Sequence, residues 1–508
     1  MLARLRPRLA SALRRPPLVA ALHPLPPLPP ARASCRLLSR RARPPERPVE
    51  RRKGPDGQWY SSQAVFRMTH PRADWESAEV ERRRDVDGKL YTLAEFRSFY
   101  AQFPQVDGSS SDVDGVAYQH WNGAKHWDHR MTKDIKAEKS IDSLLALHWK
   151  YYDALDHIHL STLWHRLGAI DKSQRLRRSP AQLDALREHT LDTIPQFGAQ
   201  ALSNISLSLA RAGLSRKPPW PELWTAIAQE AQGRAGEFDE QGLSNTAWAF
   251  ATAGHEAPDL FEAIARQAQG RVGEFKAQDF SNTAWAFATA GHKAPALFEA
   301  IAQEAQGRVG EFKAQELSNT AWAFATAGHK APDLFEAIAR EAQGRVGEFK
   351  AQALSNTSWA FATAGHEAPA LFEAIAQQAQ GRVGEFVAQD LANTAWAFAT
   401  AGHKAPALFE AIAKQAQGRV GEFVPQNLSN TAWAFAVADA RCDALFGGPQ
   451  FVQACERHGK SLLGNPPHLR QLEVWRQWRD ACSADGLTWP TLPAPLLAAC
   501  QAARREAK

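Results

Sequence analysis

The sequence predicts an all-α fold, a right-handed α-solenoid (superhelix) of about seven 37-residue helical-hairpin repeats. Three observations predict it. The stretch LSNTAWAFATAGHKAPDLFEAIAREAQGRVGEFKAQA, Leu317 to Ala353, is almost duplicated by the 37 residues on either side of it. Copies begin at Leu202, Leu243, Phe280, Leu317, Leu354, Leu391 and Leu428, the first two 41 residues apart and the rest 37. A fixed period of this size marks stacked two-helix units. Within a copy, Gly328 falls where a first helix must stop and Pro332 where a second must start. Glycine accepts the left-handed C-cap conformation, and proline suits a first helical turn. Finally, Leu317, Ala321, Phe324 and Ala325 recur at i, i+4, i+7 and i+8, an apolar stripe that one hairpin cannot cover alone.

Taken along the chain, residues 1–45 hold ten arginines and no Asp or Glu, the pattern of an organelle presequence. The low hydroxyl content favours the mitochondrial matrix, with the plastid stroma as the alternative. Residues 46–140 form a small N-terminal region with a duplication, RRKGPDGQWYSSQAVF from Arg51 and RRRDVDGKLYTLAEF from Arg82. Asp-Gly marks a turn in each, and Thr92 with Glu95 makes a capping box that opens a short helix. Residues 141–201 are a degenerate helical repeat in which HIHLSTLWHRLGA is a worn copy of the later first helix. The solenoid proper spans 202–440. The longer first period comes from LSRKPPWPE replacing HEAPD in a loop, and Pro425 marks another helix start. A helical C-terminal cap fills 441–508.

Composition excludes several classes. No run approaches the roughly 20 apolar residues that span a bilayer, so no membrane insertion is expected. Five scattered cysteines without CxxC spacing signal neither a disulfide framework nor a zinc site. Nucleotide-binding loops, metalloprotease helices and nucleophile elbows are missing, so neither an enzyme nor a cofactor is expected. A weaker third option is a metal-based enzyme at His120, His126 and His129 beside Asp128, though the spacing fits no standard site. The pI of about 9.0 is misleading. Ten of the 60 basic residues lie in the leader, leaving 50 against 54 acidic residues, a net of −4. The five exact repeats, 243–427, hold 14 basic and 19 acidic residues, a net of −5.

The candidate binding residues therefore form columns. Asn319 and Thr326 lie two turns apart on a polar face, with Ala323 between them and Trp322 flanking the core stripe. Asn245, Asn282, Asn319, Asn356, Asn393 and Asn430 either hydrogen-bond base edges or tie neighbouring repeats through backbone. Trp248, Trp285, Trp322, Trp359, Trp396 and Trp433 either stack bases or join the core. Arg234, Arg271, Arg308, Arg345, Arg382 and Arg419 either clamp phosphate or pair with the Glu three residues on. Lys293, Lys330 and Lys404 offer a partial basic stripe, interrupted by Glu256 and Glu367. His255, His292, His329, His366 and His403 follow the first-helix glycine, where they cap carbonyls.

LSNTAWAFATAGH, APALFEAIA and EFKAQELSN together resemble the octotricopeptide repeats of algal organelle RNA-binding proteins. They also resemble the helical repeats of FAST-kinase-like proteins and of kinetoplastid RNA-editing substrate-binding complex proteins, over about 158–440. LRQLEVWRQWRDACSADGLTWPTLPAPLLAAC resembles the segment that often precedes a RAP domain in such proteins, a domain expected to be missing here because the sequence stops at Lys508. The resemblance implies non-catalytic binding of single-stranded organellar RNA in transcript processing, editing, stability or translation, alongside other ribonucleoprotein components. The near-identity of these copies sets them apart from members with varied repeats. The alternative is a protein-binding scaffold in an organelle complex.

Overall fold

The computed structural model describes residues 52–53, 59–60, 82–84, 90–92, 131–152, 155–170, 180–215, 218–484 and 486–505. The expected presequence, Glu95 of the expected capping box and the cluster of His120, His126, Asp128 and His129 lie outside the described residues. Of the duplicated N-terminal phrases, two antiparallel ladders are described, Arg52–Lys53 with Trp59–Tyr60 and Arg82–Arg84 with Leu90–Thr92. Arg52 pairs with Tyr60 and Arg83 with Tyr91, so the two copies share one register on either side of their Asp-Gly. These strands were not anticipated. Their phrases are short, and Arg and Lys carry no strand signal.

Everything else described is helical, and it divides into two compact units. One holds the described residues up to Gly242 together with Thr252–Leu260; the other holds Leu243–Ala251 and those from Phe261 onward. In the first unit, the worn copy is indeed a helix, His157–Ile170, followed by Pro180–Thr193, Ala199–Arg211 and Trp220–Gly233. Its close packing is local: a Cβ on Gly168 would come within 2.8 Å of Ser208.

The second unit is an α-solenoid. A representative copy has a first helix Ala314–Ala327, a second helix Pro332–Gly344 and a short 3-10 turn Val346–Glu348. The first helix stops because Gly328 takes φ 67°, which lets His329 N–H reach back to the Phe324 carbonyl (3.1 Å) and close the last turn. In the last copy Asp439 stands in place of this glycine at φ 53°, and its carboxylate accepts a hydrogen bond from Trp478 Nε1 (2.9 Å) of the C-terminal cap. Asp is among the few residues that tolerate this conformation. The 3-10 turn, which the sequence reading placed only as a glycine-marked helix end, delivers buried Phe349 into the joint between copies.

The core runs through the joints. Leu317, Ala321 and Phe324 of the first helix are fully buried, as are Leu334, Phe335 and Ile338 of the second to within 2%. Phe324 meets Phe298 of the preceding copy edge-on at 5.0 Å, and Phe280 stacks on Phe312 at 5.9 Å. The cap helices Pro466–Ala484 and Ala494–Arg505 close the array, with Phe446 in ring contact with Trp475, Trp478 and Trp489.

Two consequences are measurable. Phe324→Ala should cost about 3–5 kcal/mol in chemical denaturation, and Trp322→Ala, which empties a half-buried position, about half of that. Among the described cysteines, burial pushes Cys500 up to about 12 and raises Cys455 further, and Cys482 is also buried. Mass spectrometry after alkylation of the native protein should find Cys442 modified and these three protected until denaturant is added.

Candidate nucleic-acid interface

The side of the first helices that no neighbour covers is narrow and repeats. On Ala314–Ala327, Gln315 is exposed and Asn319, Trp322 and Thr326 are half-buried, at i, i+4, i+7 and i+11. Asn319 and Thr326 do share a polar face, but Ala323 is fully buried and Trp322 takes the place between them. The reason is packing. The buried stripe is wide enough to include Ala323 beside Ala321 and Phe324, which turns the indole outward.

The indoles do not stand alone. Trp248, Trp285, Trp322, Trp359, Trp396 and Trp433 lie along one line, successive ring centroids 6.1–6.4 Å apart and tilted by 32–33°. Trp359 and Trp433 are 8% exposed and the other four half-buried. Each ring thus packs against its neighbours and still offers an edge or part of a face.

Beside them run the asparagines. Gln315 Nε2 donates to Asn319 Oδ1 (2.9 Å), which orients the amide from within its own helix. The inter-repeat backbone bond considered for Asn is made instead by the serine before it. Ser318 Oγ donates to the Ala353 carbonyl (3.1 Å) and Ser355 Oγ to the Asp390 carbonyl (3.2 Å), while Ser244 Oγ reaches the Asp279 side chain (3.1 Å) and Ser281 and Ser429 bond within their own helices. Ser318 lies one helical step nearer the joint than Asn319 and is fully buried there. Asn245, Asn282, Asn319 and Asn356 are half-buried, whereas Asn393 and Asn430 are buried and Asn430 Oδ1 accepts from Gln471 of the cap (2.9 Å). The accessible asparagines are therefore those of the earlier copies.

The arginine column is committed to the joints. Arg345 Nη1 donates to the Phe312 carbonyl of the preceding copy (3.0 Å), while the guanidinium grips Glu348 (2.8 Å) and Glu341 (2.7 Å). Arg382 and Arg419 repeat this with Phe349 and Glu385, and with Phe386 and Glu422. Arg308 holds Glu311 (2.9 Å) and reaches Gly273, and Arg234 holds Glu237 (2.7 Å) and the Phe197 carbonyl. Arg271, at the same position, also has partners. The hydrogen bond to Glu348, then that to Glu341, raises Arg345, and the same bond lowers the Glu348 carboxyl below its usual range.

From His292 onward each histidine ring sits between two phenylalanines, whereas His255 stacks on Trp224 at 6.2 Å. His329 lies 5.7 Å from both Phe298 and Phe324, and its Nε2 is 3.4 Å from Glu299 of the preceding copy. The backbone N–H does the carbonyl capping expected of this column, and the ring adds a link between copies.

What remains free is lysine. Lys293, Lys330 and Lys404 are exposed after the first helices, and Lys276, Lys313 and Lys350 are exposed before them. None of the six makes an ion pair among the described residues, in contrast to Lys414, which holds Glu410. The sequence reading overlooked Lys276, Lys313 and Lys350. Their signal was the EFK phrase, present in three consecutive copies and replaced by EFV at Val387 and Val424.

Asn and Ser can be separated by substitution. Ser318→Ala should cost about 1 kcal/mol of stability, a change the chain already carries at Ala392. Asn319→Ala should leave the melting midpoint within a degree or two, so differential scanning calorimetry distinguishes a structural residue from a surface one.

Among the described residues no group of His, Cys, Asp and Glu is placed to hold a metal ion, and no helix is long and apolar enough to cross a membrane. The chain matches no curated protein. Its residues 222–448, under half of the sequence but most of the repeats, are similar to the family described as RNA-editing substrate-binding complex 6 protein.

Proposed function

We propose that the second unit binds single-stranded RNA along its Gln–Asn–Trp–Thr face, as a non-catalytic component of an organellar RNA-editing or RNA-processing assembly. The observation that carries the proposal is the recurrence of one exposed set, Gln278, Gln315 and Gln352 with their Asn and Trp partners, at a constant separation on an otherwise buried layer. Amides present donors and acceptors to base edges, and exposed aromatic faces stack bases without regard to sequence. The name of the matching family supports the editing assembly, and the acid-free arginine-rich leader supports the organelle.

The indole spacing of 6.1–6.4 Å is nearly twice the ~3.4 Å rise of stacked nucleotides, so a strand following the column is splayed with about one base per copy. Because the copies present the same groups, the preferred target is a short run of low sequence complexity. The net charge of −5 over 243–427 favours a second reading, a scaffold for a basic protein partner.

Titration of the purified chain with single-stranded homopolymers and mixed sequences decides between them. Binding should be detected at low salt, and Asn282→Ala, Asn319→Ala and Asn356→Ala combined should weaken it at least ~10-fold with an unchanged melt. A folded protein without RNA affinity at low salt overturns the RNA reading in favour of the scaffold.

A further inference from the structure

Lys276, Lys313 and Lys350 immediately precede three consecutive first helices, Ala277–Ala290, Ala314–Ala327 and Ala351–Ala364. All three are exposed and free of ion pairs, between copies whose arginine column, Arg271 to Arg419, is engaged. Between two of these copies lies a cleft of about 300 Å³ lined by Lys313, Ala314, Gln315, Glu348, Lys350 and Ala353. Gln315 belongs both to this cleft and to the exposed face, where it orients Asn319. The cleft is therefore continuous with the columns that meet bases.

The acids nearby are already satisfied. Glu348 is held by Arg345 (2.8 Å), Glu316 accepts from the Lys313 backbone N–H (2.8 Å) and Asp279 from that of Lys276 (3.1 Å). At the third copy the corresponding position is Ala353, so the cleft gains a lysine without a new carboxylate. The other free lysines do not form such a run. In the copies from 280 to 391 they read Lys293, Lys330, Glu367, Lys404, placing an acid in the middle. A 14-residue helix, about 21 Å long, also separates the two ends.

We propose that Lys276, Lys313 and Lys350 form a phosphate rail that holds the RNA backbone beside the Gln–Asn–Trp face and sets the register of the strand on the array. The proposal rests on the RNA reading above. Identical faces give a strand equal seats on every copy, and a charge present on only three consecutive copies removes that degeneracy. At the next two copies the rail position is Val387 and Val424, each more than half exposed, where a phosphate gains nothing.

The test compares the parent chain with the combined variants Lys276→Gln/Lys313→Gln/Lys350→Gln and Lys293→Gln/Lys330→Gln/Lys404→Gln. RNA homopolymer affinity is measured at several salt concentrations, with thermal melts to check folding. Each neutralised phosphate contributes about 0.7 to the slope of log affinity against log salt for a single strand, so the rail variant should lose about 2 in slope. The other variant should keep most of the parent slope, and Lys→Arg at the three rail positions should restore it. A rail variant with the parent slope overturns the proposal, as does an equal loss in the two Gln variants. Inorganic polyphosphate, which has phosphates and no bases, separates the two readings. A parent that binds polyphosphate through the rail but not RNA keeps the anion site and sinks the RNA reading, and a parent that binds neither sinks both.

Discussion

Phe324 cannot be buried by its own hairpin. It points from a first helix toward the preceding copy, meets Phe298 edge-on at 5.0 Å, and is covered completely only because that copy is there. The same holds for Phe287 on Phe261 and Phe361 on Phe335, each at 5.1 Å. Apolar burial is thus a property of joints rather than of copies, and every other regular feature keeps the joints alike. The arginine fork ties the carbonyl of the preceding phenylalanine to acids of its own copy. The serine ties a helix to the backbone ahead, and the histidine ring fills the gap between two phenylalanines. Ala392 shows the hierarchy: it replaces one serine, and its joint is still fully buried. Apolar contact makes the joint, and the polar bonds fix its geometry.

Arginine and lysine have divided the work in a way that follows from their chemistry. A joint needs a planar donor that serves a carbonyl and one or two carboxylates at once, which suits a guanidinium better than an ammonium. Arg308 and Arg345 serve a carbonyl and two carboxylates, and Arg382 and Arg419 a carbonyl and one, each about a quarter exposed. Lysine, a hydrated point charge on a flexible stem, stands without an ion pair at six positions at the ends of the first helices. Net charge over the repeats therefore misleads as an index of what the surface can bind. Many of the acids are neutralised where they stand, while Lys276, Lys313 and Lys350 are exposed without an ion pair along one line.

The helix limits were legible in the sequence because glycine and proline act through backbone geometry that needs no tertiary context. Gly328 and Pro332 end and begin helices as expected, and Leu317, Ala321, Phe324 and Ala325 form the buried stripe. The candidate site was legible in part. Asn319 and Thr326 lie on one outward face, but periodicity alone does not fix the centre of a stripe to within one residue, so Ala323 and Trp322 exchanged places. Which of two adjacent polar residues reaches across a joint is equally beyond periodicity, because Ser318 and Asn319 differ by a single 100° step. The Lys276, Lys313 and Lys350 run was missed for another reason. A lysine between Phe and Ala at a helix entrance resembles a solvated charge until its neighbours' acids are seen to be occupied.

The ends of the array determine what the repetition amounts to. Six asparagines recur in the sequence, yet the cap helix Pro466–Ala484 supplies Gln471 to the last and buries it, and Asn393 is buried as well. The Gln389 and Gln426 positions are half-buried where Gln278, Gln315 and Gln352 are exposed. The lysine run ends at the same place, giving way to Val387 and Val424. Two independent features, side-chain access and charge, therefore end at the same copy, although the copy sequences are nearly uniform. A uniform repeat has no preferred position of its own. Here position is imposed from the boundary inward, by a cap that closes one end and by single-residue changes at the helix entrances that leave the joints untouched.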